Sequence, residues 1–171
     1  MKITETKIPE IKIIQPEIYK DERGSFFESF NQKVFNDCVK KDVNFVQDNQ
    51  SFSRYAVLRG LHYQSEPCSQ GKLVSVAFGE VYDVAVDIRK NSSTYGLWIA
   101  EKLSDKNKKQ LWIPEGFAHG FLTLSDKAIF CYKTTSYYNK SSEKTINYKN
   151  FNIDWPTLNR PYILSDKDNI L

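Results

Sequence analysis

Residues 57–64 read Val-Leu-Arg-Gly-Leu-His-Tyr-Gln, an apolar lead that runs into an arginine, a glycine, a histidine and two more hydrogen-bonding side chains. Arg59 offers a planar fork that can hold an anion through two parallel hydrogen bonds. His62, three positions on, carries the side chain whose ordinary pKa lies nearest neutral pH. Gly60 between them permits close backbone approach. A group for a charged substrate and a group for proton transfer therefore fall on one short stretch.

Other chemistries find less support. Zinc and iron centres usually draw two or three histidines, and the chain has two, His62 and His119, with neither His-x-His nor His-x-x-x-His spacing. A two-histidine site completed by a carboxylate stays open as the minor alternative. Nucleophilic catalysis has no Gly-x-Ser-x-Gly elbow and no comparable cysteine setting, and no glycine-rich phosphate loop is present. General acid–base chemistry is left, carried by a histidine with tyrosines and a lysine on neighbouring strands. Bland readings stand beside it: His62 as a hydrogen-bonded structural residue, Lys72 as an edge charge, Tyr132 as a core ring with its hydroxyl tied off.

The elements that must position these groups read as strands. At 171 residues and 40% hydrophobic content the chain suits one domain over 1–171, and its 11 Phe and 10 Tyr favour strands over a helical bundle. Residues 1–14 read as one opening strand with Ile11 and Ile13 on one side, limited by Pro16, and residues 21–24 as a turn. A short helix over 31–39 is capped by Asn31. Residues 72–78 alternate with period two, and Gly79-Glu80 reads as a tight hairpin turn into 81–88, where Tyr82, Val84, Val86 and Ile88 share a face opposite Asp83, Ala85 and Asp87. Further strands follow at 96–100, 111–113, 121–124 and 128–133, with Ser104 capping a helical turn and the chain loosening over 139–143. Many short strands with little helix predict a mainly β, antiparallel sandwich or barrel of jelly-roll type.

Charge and cysteine usage bound the setting. The 24 basic and 21 acidic residues are scattered, giving a net charge of +3 with no basic run suited to nucleic acid or a membrane surface. Cys38, Cys68 and Cys131 are odd in number and lack Cys-x-x-Cys spacing, which fits a reducing, cytoplasmic location. The N-terminus lacks the uninterrupted apolar core of a secretory signal, and no stretch approaches a transmembrane span.

Several ordered motifs together carry a resemblance. They are residues 21–28 (Asp-Glu-Arg-Gly-Ser-Phe-Phe-Glu), 45–49 (Phe-Val-Gln-Asp-Asn), 58–64, 71–74 (Gly-Lys-Leu-Val), 83–89, 110–121, 132–134 and the tyrosine pair 137–138. On these the chain resembles the dTDP-4-dehydrorhamnose 3,5-epimerases, members of the cupin superfamily, over nearly its whole length. The resemblance implies a jelly-roll homodimer with exchanged N-terminal segments, no metal and no organic cofactor. The implied substrate is a nucleotide-linked 4-keto-6-deoxy sugar inverted at C3 and C5, a step in rhamnose supply for surface polysaccharide. His62 would be the base, Tyr132 the acid, Asp168 the carboxylate behind the imidazole, and Lys72 the cation for the C4 oxygen. Arg23 and Arg59 would meet the diphosphate, with Gln47 and Asn49 nearby. Phe26 and Glu28 would meet the base, Tyr138 would stack on the nucleotide, and His119, Glu143 and Lys167 would complete the pocket. Asp168 lies three residues from the chain end, where fraying competes with such a role. Epimerisation at a single carbon, a GDP-linked 4-keto heptose as substrate, and a non-catalytic sugar-nucleotide-binding cupin are the alternatives.

Overall fold

The computed structural model describes residues 2–169. The chain begins with β1 (Lys2–Glu5), β2 (Lys12–Gln15), the small hairpin β3 (Tyr19–Asp21) and β4 (Gly24–Phe26), and helix α1 (Gln32–Val39). Then come β5 (Gln47–Arg54), β6 (Leu58–Gln64), β7 (Lys72–Phe78), β8 (Glu80–Asp87), β9 (Trp98–Ser104), β10 (Gln110–Ile113), β11 (Phe117–Thr123), β12 (Lys127–Thr134) and β13 (Glu143–Thr145). They form two facing antiparallel sheets, one in the order β1-β2-β10-β7-β12-β5, the other β13-β6-β11-β8-β9. The antiparallel, mainly β expectation holds.

Inward-facing Val74 and Val76 of β7, Val81 and Ala85 of β8, Phe121 of β11 and Phe130 of β12 fill the space between the sheets. The outer face of the five-stranded sheet is covered by the C-terminal segment, through Ile146, Phe151, Ile153 and Trp155 packed around Val84 and Val86. Helix α1 covers part of the other sheet. Asn31 Oδ1 accepts the Val34 N–H at 3.1 Å, the N-cap expected of it, and the buried Phe35 ring meets Phe45 and Trp112, each at 5.2 Å between centroids.

Two expectations are corrected. Residues 72–88 are not a hairpin: β7 pairs with β10 and β12, whereas β8 pairs with β9 and β11 in the opposite sheet. Gly79 is the corner at which the chain crosses between sheets. At its φ of +83° a Cβ would come within 2.2 Å of the Lys127 carbonyl oxygen, so the corner demands glycine as firmly as a hairpin turn does. The alternating faces of β8 are as expected, because each sheet has a covered side whichever strand lies next to it.

The single opening strand is likewise two, β1 and β2, and Met1 lies outside the described residues. The Thr6 hydroxyl accepts the Ile8 N–H at 3.2 Å and donates to the Ile8 carbonyl at 2.7 Å, turning the chain and sending Ile8 and Ile11 into the core.

The contact that most constrains the strands around His62 is between two glycines. A Cβ on Gly60 would stand 2.6 Å from Gly120 Cα, and one on Gly120 would stand 2.8 Å from the Arg59 carbonyl oxygen. The β6–β11 register shifts here, between His119 and Phe121. Gly60→Ala is expected to cost about 2 kcal/mol or more, lowering the thermal midpoint by roughly 4–8 °C. A melting curve superimposable on that of the wild type would show that the strands do not depend on this contact.

Candidate active site

His62 lies on β6 directly across from His119 of β11 and Thr145 of β13, in the five-stranded sheet. Tyr132 lies on β12 across from Val74 and Asn49, in the other sheet, and Lys72 opens β7 opposite Ile113 and Thr134. Inward alternation on both sheets brings these side chains to one cavity of about 260 Å³, lined also by Arg59, His119, Tyr138, Glu143 and Lys167. Nine of the expected site residues therefore converge, eight on the wall and Asp168 behind it.

The C-terminal segment delivers Asp168. Ile163 docks beside β6, taking its N–H to the Ala56 carbonyl at 2.8 Å and accepting the Leu58 N–H at 3.0 Å. A turn at Ser165 follows, closed by the Asp168 N–H on the Ser165 carbonyl at 3.0 Å. Asp168 ends 3% exposed, so proximity to the terminus does not leave it frayed. Its Oδ1 lies 2.5 Å from His62 Nε2, and its Oδ2 accepts the Ser165 hydroxyl at 2.8 Å. Burial pushes the carboxyl pKa up, and the hydrogen bonds from His62 and Ser165 outweigh that and hold it below the usual range. A carboxylate only accepts, so the neutral form of His62 carries its proton on Nε2 and turns the lone pair of Nδ1 away from Asp168.

Lys72 is 8% exposed, and its Nζ donates to the His62 carbonyl at 3.3 Å. Burial lowers its pKa to about 8 against the pull of Asp83 and Glu143. Burial and the nearby Glu143 carboxylate raise the Tyr132 phenol, which stays protonated at neutral pH. On the outer rim, Arg59 is held by Ser53 Oγ at 3.0 Å and the Phe52 carbonyl at 3.1 Å, with no carboxylate partner among the described residues. Lys167 pairs with Glu143 at 2.5 Å, and Glu143 also accepts the Tyr138 hydroxyl at 3.2 Å.

The other expected residues do not line this cavity within one chain. Gln47 accepts the Tyr138 N–H at 2.9 Å and donates to Asn49 at 2.8 Å, so it holds the loop that carries Tyr138. Arg23 and Phe26 stand on the exposed β3–β4 hairpin, Arg23 paired with Asp21, and Glu28 accepts from Asn31 near the start of α1. Sequence reasoning passed over Asp83, fully buried and 2.9 Å from His119 Nε2. The available signal was an acidic residue on one face of 81–88 with Ala85 and Asp87, and the structure shows that this face points inward. Among the described residues no cluster of three metal-ligating side chains occurs.

A proton acceptor, a proton donor and a cation around one small cavity suit the removal and return of a proton on carbon next to a carbonyl. Comparison with known proteins agrees. The family model for dTDP-4-dehydrorhamnose 3,5-epimerase matches residues 5–171. The enzyme of that name from Shigella flexneri is 57% identical over 170 residues, covering 98% of this chain and 93% of its own, and that of Salmonella typhimurium 54%, covering 98% and 92%. The dTDP-6-deoxy-D-glucose-3,5-epimerase of Legionella pneumophila, solved with dTDP-4-keto-L-rhamnose, superposes with a TM-score of 0.94 at 54% identity, covering 98% of this chain and 89% of its own. On motifs, fold and overall similarity, this chain belongs to the dTDP-4-dehydrorhamnose 3,5-epimerase family.

Proposed function

We propose that the chain, as one catalytic domain, inverts C3 and C5 of dTDP-4-dehydro-6-deoxy-D-glucose to give dTDP-4-dehydro-L-rhamnose, with His62 and Tyr132 as the proton-transfer pair. The observation that carries this reading is that the two residues reach one cavity from opposite sheets. Inversion needs a proton taken from one face of the sugar and another supplied to the opposite face.

Both C3 and C5 flank the C4 carbonyl, so loss of either proton gives an enolate with its charge on the C4 oxygen. His62 Nδ1 takes the proton, and Asp168 stabilises the imidazolium that results. The Lys72 ammonium meets the enolate oxygen in the buried part of the cavity, where such a contact counts for more than in solution. Tyr132 returns a proton from the other side. Each inversion leaves His62 with one proton more and Tyr132 with one fewer, and exchange with water resets both.

In deuterated water the product is therefore expected to gain one deuterium at C3 and one at C5. Label at a single carbon would assign a mono-epimerase instead, and a GDP-linked heptose labelled in preference would change the substrate. His62→Ala is expected to lower exchange about 10³-fold or more while dTDP still binds, which a non-catalytic binding protein would not do. Tyr132→Phe is expected to exchange the substrate without inverting it. Inversion retained at the wild-type rate in that variant would move the acid elsewhere.

The diphosphate points to a second chain. It brings about two negative charges, and among the described residues the one guanidinium lining the cavity is Arg59, while Lys167 is already neutralised by Glu143. Arg23 and the 71% exposed Phe26 lie on a projecting hairpin. The outer face of the six-stranded sheet bears a groove of about 580 Å³ lined by Phe27, Phe30, Ala77 and Cys131. A homodimer in which each hairpin completes the other chain's site accounts for both features. Mixing Arg23→Ala with His62→Ala chains is then expected to restore about a quarter of wild-type turnover, because half the dimers hold one intact site. No recovery would place Arg23 in its own chain's site.

A further inference from the structure

Asp83 occupies the inward register of β8 between Val81 and Ala85, and all three are fully buried. A lone carboxylate in such surroundings is costly unless hydrogen bonds and an opposite charge offset it. Its Oδ2 meets His119 Nε2 at 2.9 Å, while its Oδ1 has no hydrogen-bond partner among the described residues. A neutral imidazole supplies a hydrogen bond and no charge. The cation whose field it shares is Lys72, buried in the same cavity as His119 and reaching it from the facing sheet.

Resting on the epimerase reading of the cavity, we propose that Asp83 is a positioning residue: it fixes His119 as the neutral Nε2–H tautomer and balances the buried Lys72 ammonium. The cavity then presents a donor cation and, beside it, an imidazole whose Nδ1 accepts. Lys72 serves the oxygen that gains charge, and His119 receives a hydrogen bond from a sugar hydroxyl. This divides two adjacent polar groups between two different substrate atoms.

The electrostatics run in the same direction. Burial pushes His119 down, against the attraction of Asp83, so its ring stays neutral while Lys72 holds the proton. Around Lys72, Asp83 on β8 and Glu143 on β13 favour the ammonium, and Lys167 from the C-terminal segment opposes it. His62, Tyr132 and Arg59 share the cavity wall. Asp83 is the largest of the favourable charges, so its removal lets Lys72 lose its proton at a lower pH.

Two measurements test this. The chain holds two histidines, so nitrogen-15 spectra of histidine-labelled wild-type protein resolve each ring without any mutation. At pH 7 His119 is expected as a neutral ring protonated on Nε2; an imidazolium, or a proton on Nδ1, would overturn the proposal. In Asp83→Asn, of the same size, the alkaline limb of kcat against pH is expected to move down by about one pH unit. An unmoved limb in a variant with wild-type melting would also overturn it, and if the variant does not fold the nitrogen spectrum decides alone. Histidine tautomers as expected, with no label entering any sugar, would sink the epimerase reading and leave the Asp83 arrangement standing.

Discussion

An imidazole can take a proton from carbon only through a ring nitrogen that faces the substrate, and the contact between His62 Nε2 and Asp168 Oδ1 turns Nδ1 of the neutral ring to that task. Much of the surrounding architecture serves that contact. The C-terminal segment must cross the outer face of the five-stranded sheet, dock at Ile163 and turn at Ser165 to bring a carboxylate under a strand more than a hundred residues earlier in sequence. The apolar residues of that segment, Ile146, Phe151, Ile153 and Trp155, hold it there by burial. Packing far from the cavity thus determines the tautomer and orientation of a ring inside it.

The jelly roll explains why His62 and Tyr132 face each other. A single sheet with one covered face points all its inward side chains in one direction. Two facing sheets point them at one another. His62 and His119 come from one sheet, Lys72 and Tyr132 from the other, so a flat ring placed between them meets polar groups on both sides. The sheet crossing at Gly79 makes this possible, because it sends β7 and β8, consecutive in the chain, to opposite walls.

That same crossing marks the limit of what was legible in the sequence. Alternation in residues 72–78 and 81–88 named the strands and divided β8 into its two faces correctly, but not which face points between the sheets, since both faces of β8 are covered. Which strands pair is set by partners far along the chain, and a glycine at a hairpin looks the same as a glycine at a corner. Residues 58–64 announced His62 and Arg59 by their types, and the family resemblance supplied Tyr132, Lys72 and Asp168. Asp83 was legible only as one residue of a face shared with Ala85 and Asp87, and both its inward position and its contact with His119 come from the fold. Arg23, Phe26 and Glu28 lie apart from the cavity within one chain, the first two on the exposed β3–β4 hairpin and the third near the start of α1, which no reading of one chain's motifs foretells.

Exposure around the cavity is unequal, and the proposed cycle depends on that inequality. His119 and Lys72 are 7% and 8% exposed, whereas the His62 side chain is 25% exposed. Enolate charge is best held where water cannot compete for it, because a fixed cation in a dry site need not reorganise as the charge grows. A base that must act twice on one substrate has the opposite requirement. After the first inversion His62 holds a proton that it must lose before it can attack the second carbon. Closing its side of the cavity as tightly as the Lys72 side would trap the half-inverted sugar beside a base already protonated. The fold meets both demands by setting Lys72 and His119 deep between the sheets and His62 nearer the mouth, with Asp168 behind the imidazole to hold its orientation while the proton leaves.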